Sequence, residues 1–269
     1  MTPLFFGRSD APLYGVYHAP AGLERREGIV LCYPFGQEYL RSHRAFRRLG
    51  AQLSESGFHV LRFDYRGTGD SSGDMDDVSP SDWVDDTAVA IAELKDIAAV
   101  DRITLVGLRL GALIAAQACM SRTSVRGLVV WDPVLCGRSF QEELVLEIRK
   151  TGLGPARVAG EVPAPGNVLG SDGTMHFNGF DLPGSFLQDL VTFDMLASPP
   201  PRAQRVLLVV SHESEQFGRL DAAWKAHGNY AYSYTDAPHN WRYANNDGGI
   251  LLPHPILREI CGWMRRQAR

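Results

Sequence analysis

The arginine at position 109 lies in a predicted turn that would expose a reactive side chain. Residues 103–106 are apolar and partly β-branched, which predicts a buried strand ending at Gly107, and residues 112–118 predict a buried helix. Gly107 and Gly111 flank Arg109 symmetrically, and glycine lets a strand and a helix pack closely around one residue. A guanidinium stays protonated and only donates hydrogen bonds. We therefore expect Arg109 to bind an anion and not to act as an acyl nucleophile.

The spacing of this turn matches the nucleophile elbow G-x-S-x-G, with Arg109 where that pattern has serine. The elbow arginine would also lie at a helix N-terminus, which itself favours an anion. A buried guanidinium needs an anionic partner. The candidates within the chain are Glu38, Asp132, Glu213 and Glu215, and the candidate outside it is a substrate carboxylate or phosphate.

Strand and helix patterns alternate along most of the chain, which positions this turn inside a sheet. Continuous apolar runs are typical of buried parallel strands, and amphipathic segments between them are typical of helices. The predicted strands are an edge hairpin at 4–6 and 13–18, followed by runs at 28–33, 58–63, 103–106, 125–131, 206–210 and 230–234. This order indicates an α/β protein with a mostly parallel central sheet and helices on both faces.

Residues 134–198 interrupt the alternation. Glycine and proline are frequent between 152 and 184, yet Met175, Phe177 and Phe180 are too apolar for a solvated loop. We therefore predict a cap that lies over the site. The predicted organisation is a first core segment at 1–133, a cap or lid insertion at 134–198, and a second core segment at 199–269.

Composition excludes several classes of function. The chain has 269 residues and a formal net charge of −4, so it lacks a basic surface for nucleic acid. No run approaches the ~18 apolar residues of a membrane span, and the N-terminus does not resemble a secretory signal. The four cysteines are widely scattered, which favours a reducing, cytoplasmic location. The sequence also contains no dinucleotide fingerprint and no metal-ligand spacing, so we expect neither a cofactor nor a metal.

Longer motifs resemble the α/β-hydrolase superfamily along nearly the whole chain. More narrowly, they resemble the serine-aminopeptidase-like hydrolases, and especially the hydrolases associated with exosortase systems. For the fold these motifs are specific, but for a substrate they are almost silent. The resembling stretches are 34–38 (PFGQE), 61–71 (LRFDYRGTGDS), 131–134 (WDPV) and 178–183 (NGFDLP).

The resemblance implies a site with the chain order nucleophile, acid, histidine. His239, between the last predicted strand and the last predicted helix, has the position of the catalytic histidine. The acid is expected after the strand at 206–210, which favours Glu215, with Glu213 as the alternative in that loop. Asp132 is a rival because it ends a neighbouring strand. Either glutamate is equally compatible with a solvated helix start.

The resemblance also implies an oxyanion hole made of backbone N–H groups. Leu110 supplies one donor, and the loop of Phe35, Gly36 and Gln37 supplies the other, with Glu38 next to it. Together with His239 and Arg109, these residues form the predicted binding site for a small molecule.

Three functions are compatible with this site. In the first, His239 is the general acid or base and Arg109 stabilises an anion on an acidic or ester substrate. In the second, the protein binds a ligand or partner without catalysis. In the third, Cys32 or Cys136 replaces the serine nucleophile of an esterase or thioesterase, although a free cysteine is commonly an apolar core residue. A homodimer is compatible with each of them.

Overall fold

A computed structural model describes residues 1–120, 125–151, 169–170, 173–177, 179–241 and 251–266 of the chain. Its strands are β1 (Thr2–Arg8), β2 (Ala11–His18), β3 (Glu27–Cys32), β4 (His59–Phe63), β5 (Arg102–Leu108), β6 (Gly127–Trp131), β7 (Met175–Phe177), β8 (Phe180–Leu182), β9 (Arg205–Val210) and β10 (Tyr230–Tyr234). Its helices are α1 (Gln37–Glu55), α2 (Pro80–Ala98), α3 (Leu110–Met120), α4 (Gly137–Thr151), α5 (Gly184–Leu190), α6 (Glu215–Trp224) and α7 (His254–Arg266).

Eight of these strands form one sheet in the order β1-β2-β4-β3-β5-β6-β9-β10. Strand β2 pairs antiparallel with both β1 and β4, and the other neighbouring strands of this sheet pair in parallel. Leu108 of β5 pairs with Trp131 of β6, and Trp131 pairs with Val209 of β9. The residues that follow these strands therefore meet at one edge of the sheet, where open α/β sheets bind ligands.

Helices cover both faces of the sheet. One core cluster contains residues of α2, α3 and α6, and the other contains residues of α1 and α7. Strands β3, β4, β6 and β9 are buried along their whole length, which explains why their sequences are mostly apolar. The predicted fold class, a mostly parallel sheet with helices on both faces, is confirmed.

The segment between β6 and β9 packs on the larger core cluster. Met175, Phe177, Leu182 and Phe186 are each at most 5% exposed. This burial explains why the segment is so apolar despite its many glycines and prolines. The breaker-rich residues 152–168 lie outside the described residues, so the predicted bounds of a cap at 134–198 stay a prediction. None of the helices described is long and apolar enough to cross a bilayer.

Candidate active site

Arg109 connects β5 to α3 in a left-handed backbone conformation, with a φ of 53°. Its amide donates to the carbonyl oxygen of Trp131 at 3.0 Å, and its own carbonyl accepts from Ala112 at 3.0 Å. A residue other than glycine is disfavoured there by about 1 kcal/mol, so the surrounding structure must impose it. The turn therefore has the strand-to-helix geometry that the sequence predicted.

The guanidinium of Arg109 is held by two carboxylates. Its side chain is 12% exposed, its Nε donates to Glu38 Oε1 at 3.1 Å, and its Nη2 donates to Glu143 Oε2. Nη1 lies 3.5 Å from the carbonyl oxygen of Asp132. Burial by itself lowers the pKa of Arg109, but Glu38 and Glu143 outweigh burial and raise that pKa above its ordinary value. The expected pairing with an acid of the chain is found, and it uses Glu38.

Asp132 follows β6 and adopts a φ of 40°. Its side chain is buried, and its carboxylate is held by the residue that follows β9: Oδ1 accepts from the amide of Ser211 at 2.7 Å, and Oδ2 accepts from the Ser211 hydroxyl at 2.6 Å. Asp132 thus lies at the predicted sheet edge, but its carboxylate is hydrogen-bonded to Ser211 and not to His239. In this structure the carboxylate ties two strand ends together.

Removing the Ser211 hydroxyl tests this interpretation. We expect Ser211→Ala to lower the free energy of unfolding by about 1–3 kcal/mol, because a buried carboxylate loses one of its donors. Ser214→Ala is the matched control, because the Ser214 side chain makes no capping hydrogen bond at the start of α6. The control should change stability by less than ~0.5 kcal/mol. Urea titrations measure both values, and equal small changes would contradict the role given to Ser211.

His239 is exposed and lies beside the same cavity. Its Nδ1 is 3.1 Å from the carbonyl oxygen of Ala237. Because a carbonyl only accepts, Nδ1 carries the hydrogen in the neutral imidazole, and Nε2 is the acceptor nitrogen. The ring stacks on His212 with 4.3 Å between centroids. Burial lowers the pKa of His212, and its lowered pKa keeps this neighbour neutral near pH 7.

The structure does not bring Glu213 or Glu215 to His239. Both are exposed, Glu215 is the first residue of α6, and neither lines the cavity beside His239. An acid at the first position of a helix is stabilised by the helix dipole. The preference for Glu215 as the histidine's acid is therefore not supported by its position, whereas Asp132 does line that cavity.

The predicted oxyanion residues divide between two places. Glu38 lines the cavity beside Arg109, whereas Phe35 and Gly36 line a separate cavity of about 360 Å³ together with Phe180. Leu110 is fully buried at the start of α3. The side chain of Gln37, the first residue of α1, lines neither cavity.

Neither candidate cysteine suits the role of a displaced nucleophile. Cys32 is fully buried, and burial raises the pKa of its thiol to about 12. Cys136 Sγ lies 3.4 Å from the Ser139 hydroxyl, and neither Cys32 nor Cys136 lines the cavity with His239. Since the thiolate is the reactive form, a thiol held protonated in the core is inert. Cys32 is therefore unsuited to this role, and the position of Cys136 outside that cavity does not favour it as a nucleophile.

The cavity beside His239 measures about 440 Å³. Its lining contains four carboxylates, one guanidinium and two imidazoles. Within the described ranges, no group of three or more histidine, cysteine or acidic side chains could hold a metal ion. The lining residues are Glu38, Arg109, Asp132, Glu143, Glu147, His212, His239, Asn240 and Trp241.

Sequence reasoning missed Glu143, Glu147 and His212. Glu143 and Glu147 are one turn apart on α4, so they share a helix face. The placement of α4 over the sheet edge depends on packing that periodicity does not encode. His212 comes two residues after the end of β9. This position at the sheet edge was the signal in the sequence that could have identified it as a site residue.

Comparisons with known proteins find similarity to hydrolases. Residues 36–157 match the family model described as serine aminopeptidase S33. A search of curated proteins found no match. The chain resembles the ferulic-acid-bound Est1E of Butyrivibrio proteoclasticus, with a TM-score of 0.68 at 19% identity over 98% of both chains.

Two further solved structures agree. Mouse alpha/beta hydrolase domain-containing protein 10 has a TM-score of 0.60 at 18% identity over 99% of both chains. The proline iminopeptidase of Mycobacterium smegmatis has a TM-score of 0.64 at 12% identity, again over 99% of both chains. Likeness at such low identity concerns the fold.

Proposed function

We propose that this chain, which has the fold of α/β hydrolases, is a small-molecule enzyme that works without an acyl-enzyme intermediate. The observation that carries the proposal is the orientation of His239, whose Nδ1 faces the Ala237 carbonyl while the ring lines a cavity of about 440 Å³. Nε2 is then the basic nitrogen available to a ligand. Arginine at the elbow leaves no serine to acylate.

His239 Nε2 would act as the general base on water. It takes one proton as the water oxygen attacks the carbonyl carbon of a bound ester, and it returns that proton to the leaving alkoxide as the carbon–oxygen bond breaks. The same base supports an acyl transfer, or a cyclisation or elimination, when a group of the substrate replaces water. Asp132, one of the four carboxylates that line the cavity, would stabilise the imidazolium through its charge without a direct hydrogen bond.

The charge of the cavity bears on the substrate. The sequence suggested an anionic or ester substrate bound by Arg109, but Glu38 and Glu143 already compensate that guanidinium. The guanidinium donors that a substrate carboxylate would need are therefore already engaged by these two side chains. We therefore favour a neutral ester over a free carboxylate, and we assign Arg109 the role of positioning Glu38 and Glu143.

Replacing His239 tests the proposal. We expect His239→Gln to lower turnover of small esters by ~10²–10⁴-fold, which is the usual contribution of a general base. Stability should change by less than ~1 kcal/mol because the ring is exposed. The measurement is initial rates against a library of p-nitrophenyl esters, with His254→Gln, an exposed position at the start of α7, as the matched control.

The two substitutions distinguish base catalysis from surface reactivity. Equal rates in both variants would show that His239 does not act as the base. A fluorophosphonate probe should leave the protein unlabelled, because the elbow carries no serine. Covalent labelling of a serine would contradict the mechanism.

A non-catalytic binding protein is the second candidate. Two observations favour this alternative. Arg109, held in its ion pairs, takes the place of a nucleophile, and the cavity beside it is open to a ligand. On this alternative, an ester that binds with micromolar affinity would be recovered unchanged after prolonged incubation.

The four free cysteines support a cytoplasmic location for either function, and a homodimer remains a prediction.

A further inference from the structure

A second cavity, of about 360 Å³, lies between the β1–β2 hairpin, α1 and the end of β4. It shares no lining residue with the cavity beside His239. Tyr33, Arg62 and Asp64 are the buried polar residues of its wall, at 3%, 6% and 6% exposure, whereas His43 and Arg47 are exposed. The cavity therefore has a buried guanidinium on its inner wall and a second cation at its rim.

The two hydrogen-bond partners of Arg62 are neutral. Its Nε donates to His18 Nε2 at 3.0 Å, and its Nη1 donates to the Tyr33 hydroxyl at 2.7 Å. Burial, and then the charge of Arg62, lowers the pKa of His18 to about 4, and burial raises the pKa of Tyr33 to about 12. Neither partner carries a charge near pH 7, so neither compensates the guanidinium.

Arg62 also lacks a directly paired carboxylate. In the parts of the chain that the structure describes, Arg62 forms no ion pair and its Nη2 forms no hydrogen bond. A buried cation without an anionic partner is costly, so such a group is usually paired or binds a ligand. Arg109, by contrast, is similarly buried and forms ion pairs with two carboxylates.

Asp64 is the carboxylate nearest to Arg62 in sequence, and its oxygens are already engaged. Oδ1 accepts from the Tyr39 hydroxyl at 3.0 Å, and Oδ2 accepts from the amide of Asp70 at 3.1 Å. Burial raises the pKa of Asp64, and its hydrogen bonds from Tyr39 and Asp70 oppose this shift. Asp70 also lines the cavity, but it is exposed. These carboxylates leave the Nη2 donors of Arg62 available to a ligand.

We propose that this cavity is a second ligand site, which binds a small oxyanion on Arg62 Nη2. The ligand is a carboxylate or a phosphate group, because both match the planar donors of a guanidinium. Arg47 lies at the rim and adds a second positive charge. A volume of about 360 Å³ exceeds the ≈ 30 Å³ share of one water several times, so the site admits a group of several heavy atoms.

Calorimetric titration tests this site with inorganic phosphate and with acetate, at constant ionic strength. We expect saturable binding to the wild-type protein and at least about tenfold weaker binding to Arg62→Gln, which loses a charge-assisted hydrogen bond. Arg48→Gln is the matched control, because Arg48 is exposed on the same helix as Arg47 and does not line the cavity. Equal affinities in Arg62→Gln and Arg48→Gln would overturn the proposal.

An NMR titration keeps the proposal testable if Arg62→Gln does not fold. A bound anion favours a protonated imidazole nearby, so phosphate should raise the pKa of His43 in the wild-type protein. Arg47→Gln, a change at the exposed rim, should weaken this effect, whereas Arg48→Gln should preserve it. An unchanged His43 pKa at saturating phosphate, or no saturable heat with either anion, would show that the cavity does not bind oxyanions.

Discussion

Replacing Arg109 by methionine is expected to lower the free energy of unfolding by about 3–5 kcal/mol, because breaking a buried ion pair leaves an uncompensated charge. The side chain of Glu38 is 4% exposed, so its carboxylate would stay desolvated without its cation. The contribution of Glu143 is smaller, since that side chain is 34% exposed and partly screened by water. Urea titrations of the wild-type and variant proteins measure the difference.

A double-mutant cycle separates this ion pair from general packing effects. Glu38→Gln alone should also destabilise the protein, but Glu38→Gln in the Arg109→Met background should recover part of the loss, because the unpaired charge is then removed. Additive effects of the two substitutions would contradict a direct coupling. Arg109→Lys should recover less than the wild-type stability, since an ammonium lacks the planar fork that contacts Glu38 and Glu143 from two nitrogens.

The cycle also bears on function. If Arg109 only positions Glu38 and Glu143, its loss should reorganise the cavity and reduce both binding and stability. An Arg109→Met variant that keeps full stability but loses affinity for a carboxylate would instead support the anion-binding role first suggested by the sequence. Stability falls in the first outcome and is unchanged in the second, so urea titrations of the variant distinguish them.

The sheet and the turn at Arg109 could be predicted because they are local patterns. A buried parallel strand has a continuous apolar sequence, and Gly107 and Gly111 mark the close contact at its end. Parallel strands that end side by side also bring residues 132 and 211 together. The hydrogen bonds from Ser211 to Asp132 therefore follow from strand order once that order is known, although the sequence alone does not provide it.

The partners of the charged groups could not be predicted in the same way. Arg109 pairs with Glu143, which reaches the site from α4, and the position of α4 depends on packing across the sheet. Glu215 follows the expected strand, but it is exposed at the start of α6 and does not line the cavity. Which acid enters the site depends on tertiary packing, so strand order alone could not identify it.

Gly111→Ala is the second substitution for which we expect a large loss. A Cβ at position 111 would lie 2.2 Å from the carbonyl oxygen of Tyr33 and 2.3 Å from that of Cys32. Backbone atoms of β3 and its end cannot rotate away as a side chain can, so α3 must move from the sheet. We expect the free energy of unfolding to fall by about 3 kcal/mol or more.

Gly218→Ala provides the matched control in α6. No atom lies within 4 Å of a Cβ built there, so the added methyl group meets open space. Alanine is favoured over glycine by ~1 kcal/mol inside a helix, and the control should therefore be slightly more stable than the wild type. Thermal and urea unfolding measure both variants. If Gly111→Ala lowers stability and Gly218→Ala raises it, the loss at Gly111 is due to the contact between the elbow and β3. A loss at both positions would instead indicate a general intolerance of glycine replacement, and the elbow would then not require the close approach that positions Arg109.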